Sequence, residues 1–514
     1  MNIRRLINIL IAIAGLSMTT ACYNYDRDVE DVVNTGDCYI NLAISVSNGN
    51  HSTRAVPTGG EDGDGREAGF ERENTVTGIT LILYRDATGI NTTSNPTLDL
   101  VRYFPVILET GGRETQGSDQ SPHKEEARYT TGNQFIGKYG DGHHLDLGAT
   151  YHAIIIANAP SVAASLIEGT SKLSDVRDVT LSTIYSGDPT MSADACTHFV
   201  MSSEQKNTIN FGSVTATNLD GTPHIQGMDM LFNFTGQPIV IERMAARIDF
   251  WSANSTGYDD THYSKKGYVY NVTGSTTDKF VVTGIVPFNL NNGHSTYGSE
   301  YLLKRQCADK DNLDVTKISR LADETTSSYV IDPQTLSKTS GTPTLTSSLS
   351  GLYTLIGGEG GTVDVESTTD NPYYHSIESM HGSTTACSTI DSKENVIVCY
   401  PMENTLLPTT PLYYYATGIA IVGYYYQGGT GAGTRYVYLG YLRHQGDDTS
   451  YEIQPYTTPL ATDATMGTTT AMNFGIVRNN IYRVSIGSID KKGTLDLKIK
   501  VKKWDPFIHD FIYM

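Results

Sequence analysis

Long apolar runs, paired cysteines and catalytic signatures are all scarce in this chain of 514 residues. The apolar run 6–16 is too short to span a bilayer. The six cysteines are widely spaced and include no CxxC pair, so neither a disulfide framework nor a zinc site is implied. With Cys22 set aside, Cys38, Cys196, Cys307, Cys387 and Cys399 read most simply as buried free thiols, with a single Cys387–Cys399 bridge left open. Basic residues are also few, 37 Lys and Arg against 56 Asp and Glu, for a formal charge of −19. Nucleic acid and anionic lipid headgroups are thereby excluded as expected partners, because phosphate binding needs clustered cations. Metalloprotease, P-loop, nucleophile-elbow and dinucleotide-loop motifs are missing, so neither an enzymatic activity nor a cofactor is expected.

What is abundant is turn and strand chemistry. The chain has 49 Gly, 33 Tyr and long Thr/Ser tracts but few helix-favouring stretches, the usage of an extracellular all-β protein. At the N-terminus, Arg4 and Arg5 precede the apolar run, and Ala21 leads into Cys22. This order predicts a lipoprotein signal peptide over 1–21, with the mature chain starting at a lipid-modified Cys22. Thr19 stands where such signals usually carry an aliphatic residue, so a secreted protein cut elsewhere is the alternative.

A polar tether over 23–37 is followed by strict alternation over 39–46, which places Ile40, Leu42, Ile44 and Val46 on one face of a half-buried strand. Residues 48–66 read as an exposed loop, rich in Gly, Asn and Asp. Short strands are expected at 79–84, 101–108 and 150–157, and one or two short helices within 161–179. A second series of strands begins near 238–241, passes through 268–270 and 280–282, and ends at 495–501. The runs 419–426 and 435–443 read as a hairpin with a Gly-rich loop, and 331–347 as a surface excursion. The expected organisation is a tether with its first strand over 22–54, one domain over 55–237 and a second over 238–514.

Few residues suggest chemistry. Asp141, His143, His144 and Asp146 gather possible metal ligands, and Glu61, Asp62 and Asp64 an acidic cluster, but a surface turn and a solvated loop explain them more simply. The triplets 413–415 and 424–426 are all tyrosine. They suit cross-strand packing and leave glycan binding open.

Several segments together resemble the fimbrillin family, the type V pilins of Bacteroidales. They are 151–159 with its Asn158-Ala159 ending, Phe199-Val200-Met201-Ser202, 241–248 with Arg243 and Arg247, Gly284-Ile285-Val286-Pro287-Phe288-Asn289-Leu290, Cys399-Tyr400-Pro401-Met402-Glu403-Asn404, and 478–484 followed by Trp504. The resemblance implies two tandem Greek-key β-sandwich-like domains of transthyretin-like type. It also implies a lipoprotein precursor bound to the outer membrane, polymerised with other fimbrial subunits into an adhesive surface fibre that meets a host or bacterial receptor. In such proteins an arginine-specific surface protease removes the first strand, and a neighbour's strand fills the groove.

Here Arg54-Ala55 in the polar loop fits the processing site, with Arg66 as a second candidate and Arg72 nearer the next strand. The displaced strand would carry Ile40, Leu42, Ile44 and Val46. A donor candidate is the terminal segment 507–514, where Phe507, Ile508, Phe511, Ile512, Tyr513 and Met514 are apolar although chain ends are usually polar. The plainer alternative makes that segment an ordinary last strand of its own domain. A reading of a different class is a surface glycan-binding lipoprotein of a polysaccharide-uptake system, which would keep its first strand.

Overall fold

The computed structural model describes residues 36–46, 66–68, 71–85, 95–109, 127–138, 145–187, 196–203, 207–226, 228–291, 299–307, 329–333, 366, 374–381, 386–390, 393–406, 416–443, 449–453, 474–490 and 494–505. Strands dominate them, and they assemble into two large sheets with two short two-stranded pairs besides. The fold is all-β.

The first sheet is built from β1 (Asp37–Val46), β2 (Gly78–Tyr84), β3 (Leu98–Pro105), β4 (Ile107–Leu108), β5 (Ala127–Thr130), β6 (Gln134–Lys138), β7 (Thr150–Ala157), β8 (Met201–Ser203) and β9 (Met230–Arg243). Its main order is β3-β2-β7-β8-β9-β1-β5-β4, with β6 also paired to β1. The run expected over 101–108 is interrupted at Val106, which alone separates β3 from β4. Those two strands stand at opposite ends of the order, so a one-residue link requires the sheet to curl until its ends meet. The core on one face of the sheet holds Ile40 and Ile44 of β1, Ile79 and Leu81 of β2, and, opposite those two, Ala157 and Ile155 of β7. Short helices α2 (Pro160–Ser165) and α3 (Leu173–Arg177) cap this core with Val162 and Val176, preceded in the chain by the one-turn helix α1 (Glu71–Asn74).

The second sheet contains β10 (Arg247–Trp251), β11 (Gly267–Thr273), β12 (Lys279–Phe288), β13 (Lys393–Cys399), β14 (Gly418–Tyr426), β15 (Thr434–Tyr441), β16 (Asn480–Asp490) and β17 (Leu495–Asp505). It folds into two layers joined where β11 pairs briefly with β16 across Val272 and Ile489. One layer supplies Ile248, Val484 and Leu497 to the core; the other supplies Tyr270, Phe280 and Ile421. The hairpin β14–β15 turns through 427–433, where Gly428, Gly429, Gly431 and Gly433 all take positive φ, a conformation that glycine enters without a Cβ clash.

Gln237 lies inside β9, which continues to Arg243. The chain then passes Met244, Ala245 and Ala246, all fully buried, before entering the second sheet at β10.

The first strand and the seam behind it

Strand β1 is an interior strand with both backbone edges in use. It runs parallel to β9 from Cys38 opposite Met230 to Val46 opposite Ile241. Its other edge pairs antiparallel with β6 along Asp37–Ile40 and with β5 along Ala43–Val46. Between Leu42, which faces Phe234, and Ile44, which faces Ile239, the partner strand bulges. Gly236 and Pro238 stand in the bulge, the residue types that interrupt a ladder most readily. Thr131 ties the midpoint of β1, accepting from the Leu42 amide at 3.0 Å and donating its own amide to the Leu42 carbonyl at 3.0 Å.

Ile40, Leu42, Ile44 and Val46 are 0%, 1%, 0% and 0% exposed. The other face is closed as well over the C-terminal half, where Ala43 and Ser45 are 1% and 0% exposed. At the N-terminal half Tyr39 is only half-buried, edge-on to Phe135 of β6 at 5.8 Å.

Where the end of β9 meets α1 and the second sheet lies a buried polar seam. Arg247, fully buried, forks onto Asp249 with two bonds of 2.9 Å and reaches Glu73 of α1 at 3.3 Å. Asp249 also accepts from Asn395 at 2.9 Å and faces Arg483 at 3.6 Å. Glu73 additionally accepts from the Tyr400 hydroxyl, and Tyr400 edges Phe199 at 4.9 Å. Burial, then the neighbouring Glu73 charge, hold that phenol well above its ordinary value, so it serves as a donor. Arg243 donates to the Glu73 carbonyl at 2.9 Å, to Asn479 at 3.0 Å and to Asn74.

A second knot sits beside the first. Arg478, fully buried, binds Glu300 at 2.8 Å and Glu403 at 3.0 Å, and donates to the Leu302 carbonyl. Burial, opposed by Arg478 and reinforced by Glu403, raises the Glu300 carboxyl well above its usual range. Asn158, with φ of 59°, completes the first-sheet side by donating to the carbonyls of Thr75 and Phe199 at 2.8 and 2.9 Å. The segments singled out in the sequence around Asn158, Phe199, Arg243, Arg247, Tyr400, Glu403 and Arg478 thus meet in one place. Glu73 and Glu300, which sequence reading passed over, complete their charges; the available signal was a pair of arginines in apolar strands, which require buried carboxylates.

Cys22, Arg54, Ala55 and the terminal residues Phe507, Ile508, Phe511, Ile512, Tyr513 and Met514 lie outside the described residues. Arg66 is not in a loop: it begins a short strand, Arg66–Ala68, paired in parallel with Lys503–Asp505 of β17. Cys399 is buried and in no disulfide, as are Cys38 and Cys196, which removes the Cys387–Cys399 bridge. Burial, with Cys196 nearby, raises the Cys399 thiol further from reactivity. Asp332 is buried within the segment expected on the surface, because it accepts from the Thr405 amide at 2.6 Å. Asp146 caps its own turn through the Gly148 amide at 2.9 Å, and its three possible co-ligands are not described. Among the described residues no group of His, Cys, Asp and Glu is placed to hold a metal. Tyr424 hydrogen-bonds Glu366 at 2.8 Å with Lys265 over its ring, Tyr425 bonds Asp278 at 2.7 Å, and Tyr426 is fully buried.

No family model matches the chain, and no curated protein does. Among solved structures it is similar to a protein of conjectured cell-adhesion role from Parabacteroides distasonis, at 11% identity and a TM-score of 0.41 over 92% of this chain and 100% of that one. A second protein so described from the same species gives 12% identity and 0.37 over 93% and 100%. The C-terminally truncated tip fimbrial protein Mfa3 from Porphyromonas gingivalis gives 10% identity and 0.35 over 91% and 100%.

Proposed function

We propose that this chain is a structural subunit of an adhesive surface fibre. It is exported as an outer-membrane lipoprotein lipid-modified at Cys22, cut by an arginine-specific surface protease between Arg54 and Ala55, and joined to other subunits when a foreign strand replaces β1. The carrying observation is the position of β1: an interior strand, paired along both edges and buried on its aliphatic face, all of whose partners lie downstream in the chain. Its C-terminal end leads into the polar segment containing Arg54, so one cut there separates the strand covalently from everything it packs against.

Four buried aliphatic side chains at about 1.5–3 kcal/mol each amount to about 6–12 kcal/mol, comparable to the net stability of a whole domain. An emptied groove would not persist, and a strand from a neighbour restores both the ladder and the core contacts. The glycan-binding alternative needs free aromatic faces, whereas the rings of 424–426 are engaged by their own fold.

The test is the N-terminal residue of the protein recovered from surface fibres. Ala55 is expected, and fibres whose subunits keep residues 39–46 would overturn strand replacement. Cys22→Ala should abolish lipid labelling and surface delivery; normal labelling would overturn the anchor.

A further inference from the structure

We infer that the groove occupied by β1 takes as its replacement a strand that alternates branched aliphatic with small residues, and that it rejects the segment 507–514 of this chain. This rests on the strand-replacement reading and adds the chemistry of the donor. From Leu42 to Val46 the strand is sealed on both faces, with medium aliphatic residues on one and Ala43 and Ser45 on the other.

The seal over the small residues has a visible cause. Arg128 stands opposite Ser45 on β5, forms an ion pair with Glu109 at 2.6 Å, and donates to the Thr235 carbonyl in the bulge of β9. Since β1 lies between β5 and β9, the guanidinium must cross the outer face of β1 to reach that carbonyl. The strap leaves Ala43 and Ser45 1% and 0% exposed, so a larger side chain at either position must displace it. A donor must therefore place Ile, Leu or Val at the positions of Ile40, Leu42, Ile44 and Val46, and residues no larger than Ala or Ser at those of Ala43 and Ser45.

The chain's own terminal segment 507–514 cannot meet this pattern. It contains no Gly, Ala, Ser or Thr. Setting Asp510 under the strap in the parallel direction brings Ile508 or Ile512 to the other small position. It also turns Phe507, His509 and Phe511, joined in one register by Tyr513, onto the aliphatic face. Turning Ile508 and Ile512 onto the aliphatic face instead buries Asp510 there and sets aromatic rings or His509 under the strap. Reversing the direction exchanges the order but not these two sets, because residues alternate faces either way. Overpacking and a buried unpaired carboxylate both oppose binding. The donor is thus a segment that alternates branched aliphatic with small residues, as β1 itself does.

The full chain, cut between residues 47 and 65 with an arginine-specific protease, is equilibrated with fluorescent peptides under mildly destabilising conditions. The probes are the β1 sequence, that sequence with Ala43→Phe and Ser45→Tyr, and the sequence 507–514. The β1 peptide should exchange in, and the other two should bind at least about a hundredfold more weakly. Binding of the 507–514 peptide within about threefold of the β1 peptide would overturn this selectivity while leaving strand replacement intact. Failure of even the β1 peptide to exchange would overturn strand replacement, and this inference with it.

Discussion

Strands β1 and β17 both lie towards the ends of the chain, and they are held in opposite ways. Strand β17 pairs with β16 from Lys503 opposite Asn480 to Leu495 opposite Ile489, a hairpin whose contacts are all close in sequence. Its other edge is covered by Thr449–Ile453 and, further along, by Arg66–Ala68. The partners of β1 are distant, with Cys38 opposite Met230 and Asp37 opposite Lys138. A strand held by local pairing re-forms quickly after any local opening, whereas one held only by remote pairing must pay loop closure before its contacts return. The N-terminal strand is therefore the separable one, and the C-terminal strand is integral to its sheet.

The largest expected effect follows from that separability. Deleting residues 37–46 should cost the first sheet about 6–12 kcal/mol, enough to unfold it. Hydrogen exchange should then show loss of protection in β2, β7 and β9 while β14, β15 and β16 stay protected. Uniform loss across both sheets would show instead that the halves fold as one unit through the seam.

Breaking the seam tests that coupling directly. Arg247→Ala removes the partner of Asp249 and Glu73 together, and truncating one member of a buried ion cluster costs about 3–5 kcal/mol because the remaining charges stay buried. Calorimetry should resolve two transitions in this variant where the parent gives more nearly one. A loss below about 1 kcal/mol, the range of an exposed pair, would remove the seam from the account.

How much of this was legible in the sequence depended on the range of the interaction. Alternation exposed the inward face of β1, because side chains on a strand repeat every two residues. It did not reveal that Ala43 and Ser45 are also sealed, since that depends on Arg128 and a bulge almost 200 residues downstream in β9. The hairpin β14–β15 was legible for the same local reason as β1. The runs containing Arg243, Arg247, Tyr400 and Arg478 stood out one by one, but periodicity carries no record of which of them meet. Glu73 left no signal of its own, only the demand of the buried arginines for some carboxylate: α1 is a single turn, and what matters there is where its carboxylate arrives. Arg66 looked like loop because its pairing with Lys503 crosses most of the chain.

Acid should distinguish the second sheet by a smaller margin. His375, opposite Ile285 of β12, is held by burial at about 4, below its ordinary 6.5. A depressed folded value means that its contribution to stability is present above 6.5 and is lost as pH falls towards 4, by at most about 3 kcal/mol. Glu300 in the seam acts oppositely. Its raised folded value makes its contribution greatest below the ordinary carboxyl value and lost as pH rises through the raised one. Between pH 6.5 and 4 the melting point of the second sheet should therefore fall in the parent and fall less in His375→Leu. An identical decline in both would place the acid sensitivity elsewhere.

The smallest expected effect is also the sharpest probe of the contrast between the two strands. Removing residues 507–514 leaves the β16–β17 hairpin and both covering strands in place, so stability should change by less than about 1 kcal/mol. If those residues serve assembly, the truncated chain should still fold cooperatively and still accept a β1-like peptide, yet fail to join a neighbouring subunit as donor. Denaturant midpoints measure the first property, and cross-linking of mixed subunits measures the second. A loss of several kcal/mol confined to the second sheet would mean that 507–514 completes its own domain. In that case β17 would not end the integral part of the sheet, and the donor would have to come from another segment of the chain.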